Sequence, residues 1–555
     1  MRTLFLTFIL LLFVIRPLTA QPKYEIRATW ITTLGGMDWP RQKATNKENI
    51  RKQQQELCDI LDKLKEANFN TVLFQTRLRG DLIYPSSFET FSESLTGHTG
   101  RNPGYDPLAF AIEECHKRGM ELHAWIVTIP IGNIRQVRIL GKHSIVQRNR
   151  KICKQFKGSW YLDPGHPETS DYLSRIVREI ATNYDVDGIH FDYIRYPEQG
   201  DRFPDNDTYQ KYEKKENKKQ WRRNNITSLV KRLYTDIKSI KPWIKVSSSP
   251  IGKYASTARY PSKGWDAYYA VYQDAQGWLK ENIHDALFPM MYFRDNDFYP
   301  FALDWKENDN NRWIVPGLGI YFLSPKEKNW PITEIMRQIH FIREHQLSGQ
   351  AYFRNNFLLN DIKGIYNVVK NDFYSTPALI PPMTWIDSIA PSAPTSPIVQ
   401  IQSDGSLKLQ WGKVSDNDMS VIYHLYGSST YPVDTKQANN LIKTSLRSTE
   451  TTLSNWTKNR YFAITAADRF GNESLPLALN EPTEIDIPTL NQGDLLIIPY
   501  NKEIKTICIC TPMGKEIMQI EASTQVDIHS LTSGIYYVYT TDSTNMRTLI
   551  GIILK

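Results

Sequence analysis

The segment Asp185-Val-Asp-Gly-Ile-His-Phe-Asp-Tyr-Ile-Arg-Tyr-Pro197 gathers three carboxylates, a histidine and an arginine within thirteen positions. Read as a β-strand, it alternates two faces, so His190 and Asp192 share one while Ile189 and Phe191 share the other. Tyr193 and Arg195 follow where the chain leaves the strand. A carboxylate at that point can act as nucleophile or base, or as one of the two carboxyls that flank a scissile glycosidic bond. Its plainer role would be to cap the next helix or to pair with Arg195.

The elements that must position Asp192 are legible on both sides. Leu173, Ile176, Val177, Ile180 and Tyr184 recur at helical spacing just before the strand. From Glu25 to Tyr374 strand and helix alternate eight times, with strands predicted to begin at Ile26, Thr71, Glu121, Gly188, Lys245, Ala286, Ile314 and Gln350. A helix carrying Ile50, Gln54, Leu57, Leu61 and Leu64 on one stripe lies between the first two, and another runs from Asp106 to Arg118. Later helices are predicted at 168–184, 224–240, 276–281, 332–345 and 361–370. Eight such units make a (β/α)₈ barrel, whose reacting groups gather at the C-terminal ends of the strands. The rival, a doubly wound open sheet, calls for a glycine-rich phosphate loop after the first strand, and none follows Thr33.

If the strands close, alternation turns Arg27, Gln75, Arg77, His123, Trp125, His190 and Asp192 toward the lumen. Tyr292 ends the sixth strand and Arg354 lies past the eighth. Each has an ordinary reading as an ion-pair member or a hydrogen-bonded core residue. Together they point to a wet, substrate-binding mouth, because burying each without partners costs about 1–3 kcal/mol. Trp30, Asp81, Tyr193 and Arg195 complete the set of substrate-binding candidates. A second carboxyl is sought among Asp81, Asp163, Asp187, Asp266, Asp274 and Asp295. Asp187 sits at the incoming end of its strand and reads as structural. Asp274, in Tyr272-Gln-Asp-Ala-Gln-Gly-Trp278, follows strand five on the catalytic side, with a helix N-cap as its alternative.

The chain has 555 residues, 41% of them hydrophobic and 12% aromatic, enough for several domains with real cores. Residues 1–20 read as a secretory signal peptide: Arg2, an apolar run from Leu4 to Ile15, and a cleavage site after Ala20. The expected location is therefore outside the cytoplasm, in the periplasm or at the cell surface. No later segment is long enough for a membrane span. The five cysteines give neither a disulfide framework nor zinc spacing, so no metal or other cofactor is expected. The net charge of +8 is dispersed, and its one dense run, Lys211–Arg223, reads as a solvated helix face rather than a nucleic-acid site. Prolines 377, 381, 382, 391 and 394 mark a linker at 377–394 after a catalytic domain at 21–376. Two small all-β domains follow, at 395–485 and 486–555.

Several motifs, taken as a set, resemble the glycosyl-hydrolase-10-like bacterial barrel proteins. They are Glu25-Ile-Arg-Ala-Thr-Trp30 with Asp38-Trp-Pro40, Phe69-Asn-Thr-Val-Leu-Phe-Gln-Thr-Arg77 with Asp81, His123-Ala-Trp125 and Tyr161-Leu-Asp-Pro-Gly-His-Pro167. Asp187-Gly-Ile-His-Phe-Asp192, Pro289-Met-Met-Tyr292 and Pro316-Gly-Leu-Gly-Ile-Tyr321 continue the likeness, which spans about residues 23–375. It implies a barrel glycoside hydrolase acting on polysaccharides, bacterial cell-wall glycan strands among them. By the same likeness Asp192 is the strand-four acid and Asp274 the acid ahead of a tryptophan after strand five. One departure stands out: many relatives carry two adjacent acids before the tyrosine, whereas Asp192 here meets Tyr193 directly. Residues 398–482, with Trp411, Tyr423 and the turn Ala466–Asn472, resemble a fibronectin type III sandwich. Pro512-Met-Gly-Lys515 and Leu531–Val538 resemble the sorting-type C-terminal domains of exported Bacteroidota proteins. Two function classes follow: an exported glycosidase, or a non-catalytic glycan-binding scaffold on a degenerate barrel. A polysaccharide deacetylase would need a fuller set of metal ligands than His190 and Asp192 supply.

Overall fold

The computed structural model describes residues 21–213, 215–416, 419–454, 456, 459–481, 490–498, 504–543 and 547–555. The expected signal peptide at 1–20 lies outside the described residues. The described residues fall into two compact units, one up to Leu479 and one from Asn480 onward.

Eight parallel strands form the centre of the first unit: β1 Ile26–Ile31, β2 Thr71–Arg77, β3 Glu121–Val127, β4 Gly188–Asp192 and β5 Lys245–Ser248, then β6 Ala286–Leu287, β7 and β8 Gly349–Tyr352. Strand β7 is made of two short pieces, Trp313–Ile314 and Gly317–Leu318, because Pro316 between them has no N–H to donate. The ladder survives the break: Val315 N–H donates to Leu287 O (2.9 Å) and Gly317 N–H to Pro289 O (2.8 Å). On its other edge, Ala351 N–H donates to Pro316 O (3.0 Å). Strand β8 pairs with β1 in the register Ile26↔Gly349 to Thr29↔Tyr352, and the barrel is closed. Six strands begin at the residue read from sequence, and β7 and β8 begin one residue earlier, at Trp313 and Gly349.

The helices wrap the outside: α1 Lys47–Glu66, α2 Pro107–Lys117, α3 Pro167–Asn183, α4 Lys218–Ile240, α5 Ala275–Lys280, α6 Tyr299–Glu307, α7 Ile332–Glu344 and α8 Ile365–Val368. Helix α1 buries Gln53 with Leu57, Leu61 and Leu64, in place of the Gln54 that the stripe predicts. The Gln53 amide donates to Gln42 O (2.6 Å) and Leu95 O (3.0 Å), so its burial leaves no donor unspent. The basic run is less solvated than the sequence implies. Arg222 is buried and forks onto Asp205 at 2.8 and 2.7 Å.

Two apolar layers follow from strand alternation. Ile31, Val72, Phe74, Ile189 and Phe191 face the helices. Trp30, Leu73, Trp125, Phe288, Val315 and Ala351 fill the lumen, which is a packed core rather than a pore. Met383 and Phe470 enter the same cluster from below. The proline-rich segment is therefore bound along the base of the barrel: Glu25 N–H donates to Leu379 O (2.9 Å) and Met383 N–H to Phe470 O (2.7 Å). The Trp385 indole donates to Asp285 (3.1 Å) and meets Trp313 edge to face at 5.2 Å.

The first β module has strands 398–401, 407–410 and 450–453 in one sheet and 422–428, 441–446, 461–467 and 477–478 in the other. Leu409, Trp411, Tyr423, Leu425 and Ile464 lie between the sheets. In the second unit, a four-stranded antiparallel sheet and a three-stranded one enclose Leu496, Ile507, Ile509, Val538 and Ile553. There Cys508 and Cys510 are buried side by side as free thiols, their sulfurs in hydrogen-bond contact at 3.5 Å.

The turn Ala466–Asn472 fixes the β module to the barrel base through charge. Arg469 reaches Asp187 (3.3 Å) and Asp185 (2.9 Å), and His116 holds the other Asp187 oxygen at 2.8 Å. Burial alone would raise the Asp187 carboxyl, but His116, Arg469 and Arg447 outweigh it and hold the group well below the usual carboxylate range. The stability this contributes is present above the unfolded value near 4 and is lost as pH falls. Arg469→Ala is expected to destabilise the first unit by about 3 kcal/mol at pH 7. The deficit should shrink on acidification below pH ~4, as read by thermal melts across pH. An unchanged midpoint at pH 7 would contradict it.

Candidate active site

Asp192 ends β4 at the C-terminal mouth of the barrel, with 6% of its surface exposed. Each of its oxygens accepts a hydrogen bond, Oδ1 from Tyr193 N–H (2.7 Å) and Oδ2 from the Trp125 indole (3.2 Å). Burial pushes its carboxyl up to about 6, against the opposing effects of Arg195, these two donors and Arg79. Two donors and two nearby cations suit the ionised form, so Asp192 is built to work as a carboxylate once pH exceeds about 6. Tyr193 takes a positive φ of 51°, a costly conformation for a bulky side chain. That turn brings its N–H back onto the preceding carboxylate and leaves its ring 38% exposed.

His190 lies one layer below. Ser249 O–H (2.6 Å) and the Trp30 indole (3.4 Å) point at its Nε2, which places the ring proton on Nδ1, donated to Ser247 Oγ (2.9 Å). Burial holds the ring neutral, well below the usual imidazole value. Trp30, His190 and Phe288 meet edge to face at 5.1–6.2 Å and form a rigid floor under Asp192 and Trp125. Two serines set that floor, and sequence reading passed over both.

The other candidates divide by face and by depth. Arg27 has the opposite parity to Ile26, Ala28 and Trp30, which face the lumen. It stands in the outer layer on Glu25 (2.8 Å), Thr376 O (2.6 Å) and the Tyr374 ring (4.3 Å), away from the mouth. His123 faces the lumen but lies level with Gly188, two residues below His190, and bonds Glu121 at 3.0 Å. Its ring is so close that a Cβ on Gly188 would approach it to 2.5 Å, which requires glycine there. The Gln75 side-chain Oε1 accepts from Thr33 N–H (2.9 Å) and Leu34 N–H (2.8 Å) and shapes the loop after β1. Arg77 is fully buried, forked onto Glu89 at 2.8 and 2.7 Å and bonded to the Val127 and Thr128 carbonyls. Arg354 is tied to buried Asp38 at 2.6 Å, which joins the ends of β8 and β1. These arginines are spent on structure.

Near Asp192 stands an aromatic wall of Tyr292, Tyr321 and Phe353, with Tyr292 stacked on Phe353 at 5.3 Å. Burial, and then the charge of Asp192, raises the Tyr292 phenol well above its ordinary value. On the other side Tyr193 and Arg195 are joined by Arg79, Lys157, Trp160, Tyr161 and Glu198, none of them among the residues that the sequence marked as candidates for the site. They come from the segments that follow β2, β3 and β4, with Trp160 and Tyr161 on a short strand, Ser159–Leu162, outside the barrel sheet.

Of the second-carboxyl candidates, Asp274 is the N-cap of α5, accepting from Gly277 N–H (3.1 Å) and the Tyr254 hydroxyl (2.7 Å) on Oδ1. Its Oδ2 has no hydrogen-bond partner among the described residues. Asp163 is fully buried on Thr208 (2.5 Å) and Gly165 N–H (3.1 Å), and Asp266 caps the turn at Tyr269 (2.7 Å). Asp81 accepts from Arg79 N–H (3.0 Å) and is raised by burial. Among the described residues, no cluster of three His, Cys, Asp or Glu side chains is placed to hold a metal ion.

A family model described as glycosyl hydrolase-like 10 matches residues 25–321. The glycosyl hydrolase YngK of Bacillus subtilis is 32% identical over 479 residues, covering 82% of this chain and 93% of its own. The glycosyl hydrolase DigH of Escherichia coli is 36% identical over 375 residues, covering 61% of this chain and 85% of its own. Among solved structures, the PgaB (BpsB) glycoside hydrolase domain of Bordetella bronchiseptica matches 63% of this chain and 98% of its own. Its TM-score is 0.44 at 16% identity.

A carboxyl raised by burial costs stability as pH climbs from its unfolded value near 4 through about 6, because the charged form must then be kept inside. Asp192→Asn is therefore expected to gain about 1–3 kcal/mol over the parent at pH 8 and almost nothing at pH ~3, below the unfolded value. Chemical denaturation at the two pH values measures this. A large loss at pH 8 would make Asp192 a structural residue.

Proposed function

Because the chain belongs to the glycosyl hydrolase-like 10 family, we propose that it is an exported glycoside hydrolase that cleaves polysaccharide, bacterial cell-wall glycan strands among its substrates, with Asp192 as a catalytic carboxylate. The observation that carries this reading is the placement of Asp192. It is a buried carboxylate with both oxygens on donors, at the C-terminal end of a barrel strand, beneath an open mouth walled by aromatic rings. Export rests on the apolar run Leu4–Ile15 behind Arg2.

In this proposal ionised Asp192 attacks the anomeric carbon or activates a water, and a second carboxyl protonates the leaving oxygen. Asp274 is the proposed partner, since it follows β5 at the same barrel end and its helix cap uses only one oxygen. Glu198 is the rival, supported by its place in the cavity that Tyr193 and Arg195 also line. Separations of about 5–5.5 Å mark a retaining pair and about 6.5–9.5 Å an inverting one.

Purified protein incubated with peptidoglycan, stripped glycan strands and common plant and host polysaccharides is expected to release soluble oligosaccharides detectable by mass. Asp192→Asn should lower kcat by about 10³-fold or more, the scale of losing a group that acts in the transition state. Asp274→Asn should do likewise and Glu198→Gln should not; the reverse would assign the acid to Glu198. The parent rate should rise with pH through about 6 as Asp192 ionises. Glycan binding without any product would replace the enzyme with a glycan-binding scaffold.

A further inference from the structure

Beside Asp192 lies a cavity of about 300 Å³ lined by Arg79, Lys157, Trp160, Tyr161, Tyr193 and Arg195. Its three cations make no ion pair among the described residues. Arg195 is 5% exposed, yet among the described residues its only hydrogen bond is a long one to Tyr196 O (3.3 Å), and its Nε has no partner there. Leaving such a buried donor unspent is destabilising, and a ligand filling the cavity would remove that cost. Its guanidinium lies 4.8 Å from the Tyr193 ring, so the fork is oriented before anything binds. Lys157 stands exposed at the rim, bonded to Gln199 (2.5 Å).

Holding Asp192 ionised accounts for Arg195 and Arg79, both of which act on its charge. It leaves Lys157 and the aromatic lining unexplained. The one carboxylate in the lining, Glu198, is exposed and forms no ion pair with the three cations, which stay available. Guanidinium forks match carboxylates, and flat aromatic rings match the apolar faces of sugars. Resting on the hydrolase reading above, we infer that this cavity is a subsite for an acidic sugar. The carboxylate of one glycan unit lies among Arg195, Arg79 and Lys157, with its ring against Tyr193, next to the bond that Asp192 acts on.

The test is calorimetric titration of the full-length Asp192→Asn protein with two acidic probes, each paired with its carboxamide. One probe is a peptide-free cell-wall tetrasaccharide, which carries lactyl ether carboxylates; the other is an oligogalacturonate, which carries ring carboxylates. Amidation is expected to weaken binding of at least one probe by about 10- to 100-fold, the range for charge-assisted hydrogen bonds. Which probe shows the effect tells ether from ring carboxylate. Lys157→Met at an exposed position and Arg79→Met at a half-buried one, neither cation holding an ion pair among the described residues, should each bring the acid-to-amide ratio toward one. Equal binding of acid and amide, a ratio unmoved in both variants, or no binding of either acidic probe overturns the subsite. Equal hydrolysis of acidic and amidated strands by the parent protein removes the subsite and leaves the hydrolase reading. Selective binding without any product does the reverse.

Discussion

The mouth of the barrel is organised around one opposition: Asp192 must carry charge where burial disfavours it. Two hydrogen bonds offset that cost, and each depends on a costly or elaborate neighbour. The Tyr193 N–H reaches the carboxylate only because the backbone turns left-handed at a tyrosine. The Trp125 indole is held by a floor in which Trp30, His190 and Phe288 lock edge to face. His190 in turn keeps its tautomer through Ser247 and Ser249. Removing any layer would loosen the one above it, which is how a packed lumen becomes a positioning device.

That device needs a closed and plugged barrel. Strand β7 loses a ladder donor at Pro316 and still joins both neighbours. At the opposite end the proline-rich segment and Phe470 fill the base, and the Arg469–Asp187–His116 network holds them there. The same strand thus carries a structural aspartate at its start and a raised one at its end. Cations pair directly with Asp187 and pull its proton affinity down. Desolvation dominates at Asp192 and pushes it up.

Strand starts and the face shared by His190 and Asp192 were legible because apolar alternation and helical spacing are local signals. Arg27 shows where that logic slipped: with Trp30 in the lumen, parity sends Arg27 outward. His123 shows a second limit, since alternation gives the face of a residue but not its height in the barrel. Arg77 and Arg354 pointed to the mouth as free cations. Their partners Glu89 and Asp38 lie twelve and more than three hundred residues away, beyond any periodic pattern. Arg79, Lys157 and Trp160 stayed hidden because they lie in the segments between barrel strands and helices, where the alternation of the barrel strands gives no direction.

The protonation state of Asp192 itself is the most direct test of this account. Difference infrared spectra of the parent protein against Asp192→Asn, recorded across pH, isolate the carbonyl stretch of this one carboxylic acid. The account predicts that the band disappears with a midpoint near 6. A midpoint near the ordinary aspartate value of about 4 would mean a solvated, unperturbed side chain, and would contradict it.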